Sequence, residues 1–231
     1  MDLAALSRAV VAVACLPHPP LIVPAIAAGA STETDDLRAA CMSALHRVLG
    51  ARPTSLVVIG AAGQPVGWRG FAPGLPGLPE TTSSLPFAVA SWLLDAAACP
   101  ESALPRLQLA VEIDGTPSDA GEFIPDGPIG LLIMGDGSAR RSLKGPGYLD
   151  ERAEPFDAAV TAALAKADAA ALRDLDVDLA TQLLATGVGP WRALGRIASV
   201  STTTQNDWDC ALHYAAAPYG VQYTVVSWVR G

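Results

Sequence analysis

Ala9-Val10-Val11-Ala12-Val13-Ala14-Cys15-Leu16-Pro17-His18-Pro19-Pro20-Leu21-Ile22-Val23-Pro24 is the stretch on which the fold reading turns. Val10 to Leu16 is a continuous apolar run of strand length that stops at a proline, which predicts a strand buried on both faces. Downstream, Thr34-Asp35-Asp36 predicts the cap of a helix running to about Leu49 and closed by Gly50. Leu37, Cys41, Ala44, Leu45 and Val48 share one face of that helix, and His46 falls off it, at the surface. Ser55 to Ile59 predicts a second buried strand ending at Gly60-Ala61-Ala62-Gly63. Strand, loop, helix and strand make a parallel βαβ unit. The expected fold is α/β, with a central, largely parallel or mixed sheet and helices on both faces. Its first two buried strands are expected as parallel neighbours.

The same stretch supplies the first candidate site residue. Ligands of open α/β sheets bind in the crevice outside the carboxyl ends of the strands. His18 follows such a strand, and proline on both sides leaves its backbone little freedom.

The chain has 231 residues, enough for a sizeable core, and reads as a single domain over 1–231. Its apolar fraction of 51% and charged fraction of 16% exclude a disordered chain. A net charge of −8 argues against nucleic acid or an anionic membrane as partner, since both call for a basic face. Cys15, Cys41, Cys99 and Cys210 contain no C-x-x-C and read as reduced, mostly buried thiols of a cytoplasmic protein. Two C-x-x-H spacings, Cys15 to His18 and Cys210 to His213, raise a zinc site. Neither repeats a finger or ribbon pattern, and residues three apart on a strand point to opposite faces. Ala12-Val13-Ala14-Cys15 loosely mimics a lipoprotein cleavage box, but Asp2 and a lone Arg8 make a poor basic leader. No apolar stretch reaches the length of a membrane span.

Further elements follow from local pattern. Gln64 to Ser84, rich in Gly and Pro, reads as an irregular loop carrying Trp68, Arg69 and Phe71, either a lid or an ordinary excursion. Pro86 to Ala98 predicts a helix, Leu107 to Ile113 a half-exposed strand, and Ile129 to Met134 a third buried strand ending at Gly135-Asp136-Gly137-Ser138. Helices are expected from Pro155, from a cap at Asp176 or Asp178 as far as Ala185, and from Pro190 to about Ala198. Trp208 to Tyr214 and Val221 to Val229 read as the closing strands.

In this order the segments resemble the class III extradiol ring-cleavage dioxygenase family, in its catalytic-subunit-like (LigB-like) branch, with Memo-type proteins more distant. Pro17-His18-Pro19-Pro20-Leu21-Ile22-Val23-Pro24 and Thr54 to Ile59 resemble the family's opening. Gly135-Asp136-Gly137-Ser138 resembles its S-G-D-L-S-H loop, and Glu154 to Val160 the helix after it. Tyr214 with Pro218-Tyr219-Gly220-Val221-Gln222-Tyr223 resembles the closing S-Y-E-x-P-F-G-V-G-Y.

The resemblance implies a ferrous ion held by two histidines and a glutamate, with open positions for catechol and dioxygen. His18 stands at the first histidine, a remnant metal-ligand position. Gly60-Ala61-Ala62 stands where the second is expected, Ala139 or Arg140 where the acid–base histidine closes its loop, and Thr186-Gly187-Val188 where the glutamate belongs. One imidazole does not retain iron at useful affinity. Three functional readings follow. One is a degenerate dioxygenase-like protein that keeps a crevice for a small molecule or protein partner. Another is an enzyme of changed acid–base chemistry using His18 with Asp136 or Ser138. The third is a residual ring-opening dioxygenase with unusual ligands. No cofactor is expected, except iron(II) if the third holds. A homo-oligomer is compatible with each. Against any catalytic role, Asp136 in a Gly-flanked turn has an adequate local reason as a residue bonding its own backbone, and His18 also reads as a satisfied buried histidine.

Overall fold

The computed structural model describes residues 3–27, 32–63, 83–99, 104–118, 125–200 and 207–231. The loop residues Trp68, Arg69 and Phe71 lie outside them. In chain order the elements are α1 (Leu3–Ala9), β1 (Val10–Leu16), a 3-10 turn (Pro20–Ile22), α2 (Pro24–Ala27), α3 (Asp35–Gly50) and β2 (Ser55–Ala61). They continue with α4 (Leu85–Ala96), β3 (Arg106–Val111), β4 (Ile129–Met134), α5 (Ala153–Ala165), α6 (Ala169–Arg173), α7 (Val177–Gln182) and α8 (Val188–Val200). The chain closes with β5 (Trp208–Ala216), a 3-10 turn (Pro218–Gly220) and β6 (Tyr223–Arg230).

These strands form one mixed sheet in the order β3-β2-β4-β1-β6-β5. β1, β2, β3 and β4 run parallel, and β6 is antiparallel to both β1 and β5. The protein is α/β, with helices on both faces. Alternate strand residues feed two apolar layers. One packs Val13, Ile59 and Ile133 under α1, α5, α6, α7 and α8. The other packs Ala14, Leu16, Val58 and Met134 under α3 and α4.

The first two buried strands are parallel but are not neighbours. β4 inserts between β1 and β2, pairing Leu131 with Val13 on one side and with Val57 on the other. Six successive residues of β4 are fully buried, which suits a strand paired on both edges and covered on both faces. The insertion positions the site. β1 leads into α3 on one face while its neighbour β4 leads into α5 on the other, which is a topological switch point.

Boundary chemistry departs from the sequence reading in places. Thr34 precedes α3 without capping it: its hydroxyl donates to the Leu21 carbonyl and accepts from Arg38 Nη1 (2.6 Å). The left-handed residue after α3 is Arg52 (φ 54°), not Gly50. Asp176 caps α7 by accepting from the Leu179 N–H at 2.9 Å, but the helix stops at Gln182, short of Ala185. No helix among the described residues is long and apolar enough to cross a membrane.

Candidate functional site

His18 and Asp136 stand two residues beyond the ends of the adjacent strands β1 and β4. Leu16 and Met134 are in register, and the Gly135 N–H donates to the Leu16 carbonyl (2.9 Å), so the two strand tips leave the sheet side by side. The His18 N–H donates to Asp136 Oδ1 at 2.8 Å. His18 Nδ1 lies 3.6 Å from the same oxygen, beyond hydrogen-bond reach, and is buried without a hydrogen-bond partner among the described residues. His18 itself is only 6% exposed. Asp136 thus bonds the other strand tip rather than its own turn, and the His18 backbone is satisfied while its ring Nδ1 has no bond among the described residues.

Burial pushes the Asp136 carboxyl above the usual carboxylate range, and the His18 ring and N–H draw it partly back. Cys41 on α3 and Tyr223 on β6 are also near. Burial raises both groups, and the Asp136 charge adds to each shift. Cys41 is thus an inert buried thiol.

Ser138 does not join the pair. It is wholly buried, and its Oγ donates to Asp157 Oδ2 (2.5 Å) on α5 while its N–H donates to Asp157 Oδ1 (2.8 Å). The hydrogen bonds of Ser138 thus go to Asp157 and not to His18. Asp157 is the residue that sequence reasoning missed. The available signal was one acid on the apolar face of α5, between Phe156 and Val160.

The iron set implied by the resemblance does not fit the described residues. The loop Gly60 to Gly63 flanks the Asp136 loop at the same edge of the sheet and carries no ligating side chain. Gly187 meets the site through backbone alone. Its N–H donates to the Asp136 carbonyl (2.8 Å), and a Cβ on Gly135 would fall 2.5 Å from Gly187 Cα. His46 is exposed on α3, and His213 Nε2 pairs with Ser227 Oγ (2.8 Å) at the other side of the sheet. Among the described residues no group of three His, Cys, Asp or Glu side chains is placed to hold a metal ion. No family model and no curated protein sequence matches the chain.

Proposed function

We propose that this is a LigB-like protein of the extradiol dioxygenase type in which iron-dependent ring cleavage has been lost, and that the loops leaving the tips of β1 and β4 form a crevice that binds a small molecule. The observation that carries the reading is the buried, unpartnered His18 Nδ1 beside the Asp136 carboxyl. A buried polar atom without a partner is costly, and a ligand hydroxyl, amide or carboxyl group would satisfy it. The switch-point position is where such folds take their ligands. Net charge −8 favours neither nucleic acid nor an anionic membrane, and we assign the protein to the cytoplasm, where its free thiols persist.

A thermal-shift screen of small polar and aromatic compounds tests the assignment. Compounds that stabilise the wild type are expected to lose that effect in His18→Ala while the variant stays folded. Unchanged ligand affinity in a strongly destabilised His18→Ala would defeat it.

A second reading has its own observation. The raised Asp136 carboxyl lies 3.6 Å from an imidazole, a pairing suited to proton transfer to or from a bound ligand. Turnover of any compound found in the screen, abolished in both His18→Ala and Asp136→Asn, would favour that reading over binding alone.

A further inference from the structure

Asp136 meets His18 through a turn that is held from outside the site. Ser138, two residues on, makes both of its side-chain and N–H bonds to Asp157, which lies on α5 against the opposite face of the sheet. Arg141 Nη1 donates to Asp157 Oδ2 (3.3 Å) and to Gln222 Oε1 (2.8 Å). The Gln222 backbone closes the ring: the Gly137 N–H donates to its carbonyl (2.8 Å), and its own N–H donates to the Ser138 carbonyl (2.9 Å). A Cβ on Gly137 would come 2.7 Å from Gln222 Cβ and 2.8 Å from Asp157 Oδ1, so the turn is pressed against both.

A carboxylate 2% exposed on an apolar helix face is expensive to keep, and α5 packs through Phe156, Val160 and Leu164 without it. Its hydrogen-bond donors all come from residues 138 to 141, directly after the turn that carries Asp136. We infer that Asp157 is a positioning residue: through Ser138 it fixes the Gly135–Ser138 turn and so places the Asp136 carboxylate on the His18 N–H. The functional meaning rests on the His18–Asp136 pair being the site, but the geometry is tested without a ligand.

The His18 amide is the reporter, observed by proton–nitrogen NMR on the full chain. In Asp157→Ala its exchange is expected to accelerate by about tenfold, the loss of one modest hydrogen bond. Its chemical shift should lose the pH response that reads Asp136, while the amides of Val58 and Leu109 at the centres of β2 and β3 keep wild-type protection. Asp157→Asn retains an acceptor for the Ser138 N–H and should restore part of the response. Ser138→Ala removes one of the two bonds and leaves α5 intact, so it gives a smaller change of the same sign even if Asp157→Ala does not fold. A His18 amide with wild-type exchange and titration in a folded Asp157→Ala or Ser138→Ala overturns the inference. So does uniform acceleration across the sheet, which marks Asp157 as a stability residue alone. Failure of His18→Ala to alter ligand binding defeats the site reading instead, and is read separately.

Discussion

The His18 N–H donates to Asp136 Oδ1 at 2.8 Å across 118 positions of sequence, while His18 Nδ1 stops 3.6 Å from that oxygen. One carboxylate oxygen thus terminates the backbone of β1 and leaves the imidazole facing it without a bond. Asp136→Ala strips the N–H of its acceptor and is expected to cost about 1–3 kcal/mol. Asp136→Asn keeps an acceptor oxygen and should cost less than about 1 kcal/mol. Urea unfolding midpoints at constant slope measure both. Equal losses in the two variants would mean that charge, not the backbone bond, is what Asp136 contributes.

The buried carboxyls give stability a pH dependence of definite sign. Burial raises Asp157 as it raises Asp136, against the opposing pull of Ser138 and Arg141. The native state therefore holds protons that the unfolded chain has released. The contribution of these groups is complete below about pH 4, the unfolded carboxylate value, and is lost as pH rises through their raised native values. Asp150 works the other way: Arg152 holds it down to about 2, so its contribution is present above about pH 4 and disappears as pH falls toward 2. Asp157→Asn removes one raised group, so the variant should gain on the wild type in urea stability between pH 4 and pH 7. A stability difference that stays flat over that range would contradict a raised Asp157.

Much of the fold was legible because its elements carry local signals. β1 and β4 match the predicted Val10–Leu16 and Ile129–Met134, since strands covered on both faces read as unbroken apolar runs. The buried face of α3 followed from its period, and exposed His46 with it. Strand order was not legible. Nothing within Ile129 to Met134 says that β4 will enter between β1 and β2, because that depends on how the crossovers pack. α1 and the five-residue α6 escaped for want of length and period. At the site, the prolines around His18 and the glycines around Asp136 marked two strand tips. That these tips are adjacent is a tertiary fact. Asp157 is harder still, because its partner Ser138 is fixed only when α5 packs on the sheet.

Metal content separates the binding reading from a residual dioxygenase. Among the described residues His18 has one carboxylate neighbour, Asp136, and an imidazole with one acid is too small a donor set for a retained ferrous ion. Protein purified from cells supplied with iron and zinc is expected to carry well under one equivalent of tightly bound transition metal. Elemental analysis decides it. Stoichiometric iron that disappears in His18→Ala would revive ring cleavage with ligands from elsewhere.

Two glycines offer a matched test of how tightly the turn is clamped. Gly137 has no left-handed backbone requirement, so the cost of a methyl group there is steric alone. The added Cβ would sit 2.7 Å from Gln222 Cβ and 2.8 Å from Asp157 Oδ1, both buried and hydrogen-bonded side chains with little room to yield. Gly137→Ala is therefore expected to destabilise by about 1–3 kcal/mol, the usual range for overpacking. Gly50, the last residue of α3, has nothing within 4 Å of its would-be Cβ. Gly50→Ala should be neutral or stabilising by up to about 1 kcal/mol, through helix propensity and a less flexible unfolded chain. Calorimetric or urea melts of the two variants side by side make the comparison. If Gly137→Ala is as stable as Gly50→Ala, the turn has slack. The Asp157–Gln222 clamp would then not be rigid enough to hold Asp136 on His18.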